Sequence, residues 1–351
     1  MTSKTTFAVP GNIDTLTGGY IYEKQVLLAL RRKGWNVTHL SLPDSFPHPT
    51  EQDTSKTAEA LASLAPDEPV ILDGFLTGAM PPAQLARLRA PFIAITHHPL
   101  AFEAGLSSER ATQLKQVERA NLARAAHVVV PSRHTAKTLI THFNVPAKRI
   151  TIAAPGVLRP DLQSQEATQQ PHILAVGQLV PRKGHNVLLD ALAQIKELDW
   201  SAQIVGAASD PEYARRLEQQ IADLQLNQRV ELTALLPPEM LSARYATATL
   251  FALATQYEGY GMVFAEAMVH GLPIVSCDGG AVRDTVPTDA GLLVRVGDAA
   301  AFSGALHRLL TDNPLRLRLA RASAEHGRGL PTWDDTAKAI GEVLEALCPQ
   351  S

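Results

Sequence analysis

One feature constrains the fold of this chain more than any other. Short apolar runs rich in β-branched residues alternate with longer amphipathic stretches almost throughout, and the alternation runs twice. In the first half the strand candidates are TTFAVP (5–10), NVTHLSL (36–42), PVIL (69–72), PFIAIT (91–96), HVVVP (127–131) and RITIA (149–153). Helical periodicity fills the gaps, most clearly over 20–33, 108–126 and 133–143. Leu27, Leu28, Leu30 and Arg31 followed by Gly34 give the first helix a basic end and a glycine stop, and Ser132 after Pro131 is suited to cap the helix over 133–143. The segment LQSQEATQQP (162–171) has no apolar period and reads as a linker. The alternation then restarts with HILAVG (172–177), AQIVG (202–206), RVELTAL (229–235), TLFALAT (249–255), PIVSC (273–277) and GLLVRV (291–296). Strands alternating with helices imply α/β architecture with parallel sheets.

A chain of 351 residues is too long for one compact core. Two domains are expected, over 1–161 and 172–330, with the amphipathic stretch TWDDTAKAIGEVLEAL (332–347) packing back toward the first within a final segment, 331–351. Apolar residues at 45% and charged residues at 19% fit a folded chain rather than a disordered one. A net charge of −3 offers no basic excess for a nucleic-acid backbone, so nucleic acid is not an expected partner. Cys277 and Cys348 lack metal-type spacing and fit a reducing, cytoplasmic setting. The start, MTSKTTFAVPGN, lacks the apolar core of a signal peptide, and no run approaches the roughly 20 apolar residues of a membrane span.

Open parallel sheets bind ligands beyond the carboxyl ends of their strands, and two such domains suggest a site in the cleft between them. Four strand-to-helix loops stand out. Gly18 and Gly19 precede the first helix, where glycine lets amides approach an anion; a flexible turn is the simpler alternative. His97 and His98 end an apolar strand, positioned either to meet substrate or to bond local backbone. No Cys/His cluster at suitable spacing supplies the further ligands of a zinc site. Arg182 and Lys183 follow the first strand of the second half; they either grip a diphosphate or form a solvated basic pair. In EGYGMVFAE, Glu258 lies on a loop at the rim. Gly259 and Tyr260 continue that loop, and the first N–H groups of the helix that follows, near Gly261, Met262 and Val263, have no partner within it. Glu266 leans back toward that start, suited to accept from two adjacent hydroxyls such as those of a ribose. A further glycine pair, Gly279–Gly280 in CDGGAVRDTV, precedes another helix and adds a third glycine-bearing start.

These motifs together resemble the GT4-type glycosyltransferases, enzymes of the GT-B fold, which has two Rossmann-like domains facing a cleft. The resemblance covers nearly the whole chain and is strongest over 172–312. Its most specific element is E-x7-E, Glu258 to Glu266, joined by GQLVPRKG, AMVHGLPIV, GGAVRDTV, VVVPSRHTAKTL and TGGYIYEKQVLLALRRKGWNV in the family's order. It implies transfer of a hexose-type sugar from a UDP-, GDP- or ADP-sugar with retention of configuration, without metal or other cofactor. Carried over, Glu258 contacts the transferred sugar and Glu266 the ribose. The amides from Gly259 to Val263 hold sugar hydroxyls and phosphate, and Lys183 the diphosphate. Gly18 and Gly19 approach the donor phosphate, and His98 is the strand-end histidine. Two departures stand out: Gln178 where the family has arginine, and Pro155-Gly156-Val157-Leu158 where it has Asn-Gly-Val-Asp.

Two other readings use the same fold, a sugar-nucleotide epimerase and a non-catalytic nucleotide-sugar binder. A phosphorylase lacks a recognisable pyridoxal lysine. The acceptor, whether small molecule, glycan or lipid, is not given by the sequence. QLARLRAPF (84–92) and QLKQVERANLARAAH (113–127) are mildly basic, open to peripheral membrane contact but more simply solvated helix faces.

Overall fold

The computed structural model describes residues 4–103, 105–159 and 170–348. Most of the expected linker, 162–169, lies outside the described residues. The chain divides into two compact units, Met1–Gly156 with Pro331–Ser351, and Val157–Leu330.

The first unit is built on six parallel strands: β1 (Lys4–Pro10), β2 (Asn36–Leu42), β3 (Val70–Leu72), β4 (Phe92–Ile95), β5 (His127–Val130) and β6 (Ile150–Ile152), in the order β2-β1-β3-β4-β5-β6. Strands covered on both faces need apolar residues at nearly every position, which is why β3 and β4 are buried along their whole length. Leu72, Ala94 and Val128 pack with Leu122, Leu139 and Phe143 from the helices Ser108–Arg124 and Arg133–Phe143. Ser132 caps the latter by accepting from the Thr135 amide at 3.0 Å.

The final helix, Trp333–Leu347, belongs to this unit. Thr332 and Asp335 form a reciprocal capping box at its start. Thr336 Oγ1 donates to the Ala154 carbonyl at 2.7 Å, and Trp333 meets Tyr22 edge-on at 5.8 Å between ring centroids. The chain passes so close at Gly156 that a Cβ there would fall 2.1 Å from the Trp333 amide nitrogen.

The second unit repeats the plan with β7 (His172–Val176), β8 (Ser201–Val205), β9 (Val230–Thr233), β10 (Leu250–Leu253), β11 (Ile274–Cys277) and β12 (Gly291–Val294). Its order, β12-β11-β10-β7-β8-β9, is that of dinucleotide-binding sheets. Leu188, Leu189, Leu217, Phe302 and Leu306 from the covering helices pack on Ile173, Ile204 and Trp200. Each sheet has one point where the chain reverses its direction of travel, between β1 and β3 in the first and between β7 and β10 in the second. Loops leaving neighbouring strands diverge there and leave room for a ligand. No helix among the described residues is long and apolar enough to cross a membrane.

Trp333 anchors the last helix to the first unit with only 6% of its surface exposed. Trp333→Ala is expected to cost that unit about 3–5 kcal/mol, the range for deleting a buried aromatic. Urea unfolding followed by circular dichroism reads this, and an unchanged midpoint would contradict the anchoring role.

Candidate active site

The loops leaving β7 and β10 lock together at the second sheet's reversal point. After Val176 the chain runs through Gly177 into a single 3₁₀ turn, Pro181–Lys183. Gly184 then takes φ +65° and opens the helix His185–Ala193. A Cβ at Gly184 would sit 2.0 Å from the Ala254 carbonyl oxygen, so only glycine lets the two loops meet. His185 is fully buried, and burial lowers its pKa to about 4. The neutral ring bonds the carbonyls of Gly177 and Gln178 through Nε2 at 3.2 Å each. From β10, the Gln256 amide donates to the Arg182 carbonyl at 2.8 Å, and Arg182 Nη1 donates to the Tyr257 carbonyl at 2.8 Å.

This lattice brings three polar side chains to Glu258. Lys183 Nζ donates to Oε1 at 2.7 Å, the Thr255 hydroxyl donates to the same oxygen at 2.9 Å, and Arg182 Nη1 stands 3.6 Å from Oε2. Burial pushes the carboxyl's pKa up, but Lys183 and Arg182 together outweigh it and hold the carboxylate below its ordinary range. The expectation of a rim residue is corrected: Glu258 is only 5% exposed. Burying an unpaired carboxylate costs several kcal/mol, and here two cations offset that cost.

The glycine pair Gly279–Gly280 also reads differently in the structure. Glu258 and Gly280 pair as an isolated parallel bridge, and the Ala281 amide donates to the Glu258 carbonyl at 2.8 Å. A Cβ on Gly279 would fall 2.3 Å from the Gln256 carbonyl oxygen, and one on Gly280 2.4 Å from that of Glu258. These glycines let the loop after β11 pack directly on the backbone of the Glu258 loop.

Gly261, at φ +86°, turns the chain into the helix Met262–Val269. The amides of Met262 and Val263 start that helix, where no preceding turn supplies acceptors. One turn further, Glu266 Oε2 accepts from the Tyr245 hydroxyl at 2.9 Å. Burial raises the Glu266 pKa and the tyrosine bond opposes it.

In the first unit, Gly18 has nothing within contact distance of an added Cβ, whereas Gly19 faces the His97 ring, with Cδ2 3.5 Å away. Of the two strand-end histidines, His97 therefore stands at this helix start. His98 Nε2 bonds Glu103 Oε2 at 2.6 Å. His97 Nε2 lies 3.7 Å from Glu23 Oε1, and with Asp73 these residues offer donor atoms all within 4.8 Å of one another. They form the one group among the described residues able to share a metal ion. Burial drives the Glu23 pKa up to about 7, raises Asp73 well above the carboxylate range and lowers His97. Glu23 and Asp73 hydrogen-bond each other beside the His97 ring. Sequence reasoning passed over both acids, though each left a signal. Glu23 interrupts the buried positions Tyr22, Val26, Leu27 and Leu30, and Asp73 directly follows an apolar strand.

Comparison with known proteins decides the family. The model described as Glycosyl transferases group 1 matches residues 161–326, and that described as Glycosyltransferase Family 4 matches residues 70–157. The chain belongs to the GT4-type glycosyltransferases. A D-inositol 3-phosphate glycosyltransferase of Corynebacterium efficiens is 28% identical over 224 residues, covering 58% of this chain and 53% of that protein. An MMP alpha-(1->4)-mannosyltransferase of Mycolicibacterium hassiacum is 27% identical over 290 residues, covering 78% and 69%. The chain spans about half the length of the D-inositol 3-phosphate glycosyltransferases it matches. Among solved structures, sucrose-phosphate synthase from Thermosynechococcus elongatus superposes with a TM-score of 0.83 at 22% identity, covering 98% of this chain and 99% of that one. HepE of Anabaena in complex with UDP-glucose gives 0.77 at 18% identity, covering 98% and 99%. The fold is GT-B.

In this GT4-type chain, Arg182, Lys183, Glu258 and the 259–263 turn come together at one reversal point, with Glu266 on the helix that the turn opens. Gly18, Gly19 and His98 belong to the other unit. Arg182 joins Lys183 on the Glu258 carboxylate, so the loop carries two cations although Gln178 replaces the family's arginine.

The Glu23–Asp73 pair makes a pH prediction. Glu23 has a folded pKa raised above its unfolded value, so the native state binds more protons between roughly pH 4.5 and 7, and its contribution to stability falls as pH rises through that window. Glu23→Gln removes that fall. The stability of the variant relative to the parent is expected to increase from pH 5 to 8 in urea titrations, and parallel curves would contradict the raised Glu23 pKa.

Proposed function

We propose that the chain is a retaining glycosyltransferase that moves a hexose-type sugar from a nucleotide-sugar donor to a hydroxyl acceptor. The observation that carries this reading is the buried Lys183–Glu258 pair at 2.7 Å, set beside a helix start at the second sheet's reversal point. A diphosphate reaching that point meets Lys183 and Arg182 as cations and the amides from Gly259 to Val263 as donors. It competes with Glu258 for Lys183, and the carboxylate it releases is free to accept from a hydroxyl of the transferred sugar. Glu266 takes the ribose hydroxyls. Residues 172–330 thus form the donor domain, and residues 1–161 the acceptor side, where Gly18 and Gly19 open the first helix and His97 and His98 follow β4.

In the reaction the bond from the anomeric carbon to the diphosphate oxygen breaks, and a bond to the acceptor oxygen forms on the same face. The acceptor proton passes to the departing diphosphate, giving a glycoside and a nucleoside diphosphate. The protein contributes position and charge: Lys183, Arg182 and the helix amides stabilise the negative charge that develops on the leaving oxygens. These groups supply that stabilisation without calling on a metal.

The names of the relatives and the UDP-glucose bound to the Anabaena neighbour support a nucleotide-sugar donor. A cytoplasmic setting fits two cysteines that are both free. No comparison favours an epimerase.

The test is nucleotide release from a panel of UDP-, GDP- and ADP-hexoses with candidate hydroxyl acceptors. Glu266→Ala is expected to raise the donor KM, and Glu258→Ala to lower kcat more, each by roughly 10- to 100-fold, the cost of losing a hydrogen bond to a charged group. Turnover and affinity equal to the parent in both variants would overturn the reading.

A further inference from the structure

Tyr245 lies outside every motif read above, yet its hydroxyl is the described partner of the Glu266 side chain. It sits near the end of the helix Pro238–Thr247 and is 2% exposed. Its hydroxyl donates to Glu266 Oε2 at 2.9 Å and lies 3.4 Å from the Val263 carbonyl oxygen. Its ring stacks on Phe251, at 5.9 Å and 25° between planes, and on His270, at 5.1 Å and 20°. His270 is fixed in turn. Nδ1 bonds the Glu266 carbonyl at 2.9 Å, and Nε2 meets Ser242 Oγ at 3.1 Å. A backbone carbonyl only accepts, so Nδ1 carries the ring proton and Nε2 accepts from the serine.

The consequence for Glu266 is geometric. A glutamate on a helix surface has three side-chain torsions, and a carboxylate that must face a ligand loses entropy when it is ordered. Here the ordering is done before any ligand arrives. Tyr245 approaches from a different helix, and its ring cannot tilt without disturbing Phe251 or His270. With Oε2 occupied by a donor, Oε1 is the oxygen left to accept from incoming hydroxyls, and the carboxylate plane is set.

We propose that Tyr245 is a positioning residue that orients Glu266 toward the donor ribose and thereby makes the ribose hydroxyls count in donor recognition. The inference rests on the proposed ribose role of Glu266 and extends it to a residue that touches no substrate. It separates orientation from charge: Tyr245→Phe keeps the aromatic stack and the carboxylate and removes only the hydroxyl that anchors it. Preorganisation of this kind acts on affinity and discrimination and not on the reacting bond.

The experiment measures binding of the nucleoside diphosphate from the donor that supports turnover, and of its 2′-deoxy form, by calorimetry. The parent, Tyr245→Phe, Glu266→Ala and the double variant are compared, with melting curves to establish that each is folded. The parent is expected to favour the ribo form by about tenfold or more, one hydrogen bond to a charged group. Tyr245→Phe is expected to shrink that preference severalfold while kcat at saturating donor stays within about twofold of the parent, and to add nothing in the Glu266→Ala background. A merely structural tyrosine would lower the melting temperature and leave the ribo-to-deoxy ratio alone. If Glu266→Ala collapses the ratio and Tyr245→Phe does not, the inference falls while the ribose role of Glu266 stands. If Glu266→Ala also leaves the ratio intact, the ribose role itself is wrong. Should Tyr245→Phe fail to fold, His270→Phe tests the same support: it keeps a stacked ring, removes the hydrogen bonds that hold it, and is expected to shrink the ratio in the same direction; an unchanged ratio would count against the inference.

Discussion

The second unit is organised around one buried carboxylate. Glu258 is held by Lys183 and Thr255 on one oxygen and faced by Arg182 on the other. Those partners come from loops that leave different strands, with Lys183 and Glu258 75 positions apart in the chain. An ion pair of this kind is stable only when desolvation is matched by good geometry. Much of the local backbone serves that end: Gly184 lets the β7 loop touch the end of β10, and Gly279 and Gly280 let the loop after β11 press against the backbone of the Glu258 loop. The reversal of strand order between β7 and β10 opens the space above it. In the proposed reaction the same pair matters chemically, because a lysine engaged by a carboxylate is a cation already desolvated and aimed, which a phosphate would take over without first stripping water from it.

The architecture was legible because parallel sheets leave a plain trace. Strands buried on both faces cannot alternate polar and apolar residues, so FIAI and the VVV of β5 stand out as continuous apolar runs, and all twelve strands fall where such runs predicted, within a residue or two at their ends. Ser132 and Gly261 mark helix starts by local chemistry alone. The E-x7-E motif falls on one loop and the helix Met262–Val269 that it opens. What the motif could not convey was environment. Glu258 is buried and not at a rim, and only the fold brings Lys183 and Arg182 to it. Gly279–Gly280 shared the outward signature of a ligand-binding turn, and only packing shows that its missing side chains make room for backbone.

The residues that sequence reasoning passed over share one physical character: each is a polar group whose partner is distant in sequence. Tyr245 meets Glu266 across 21 positions from another helix, and Glu23 meets Asp73 and His97 from three separate elements of the first unit. Periodicity marks such residues only as core, or as interruptions of core. Their role comes from the hydrogen bond at the buried end, which no local pattern encodes.

The central claim is that Glu258 holds Lys183 in place for a diphosphate and competes with it. This can be measured without any sugar or acceptor present, by calorimetric titration of UDP, GDP and ADP into the parent and into Glu258→Gln. Neutralising the carboxylate frees Lys183 from its partner. The account predicts that Glu258→Gln binds the preferred nucleoside diphosphate more tightly than the parent does, while turnover with the corresponding nucleotide sugar falls. Equal or weaker binding of the diphosphate by a folded Glu258→Gln variant would contradict it.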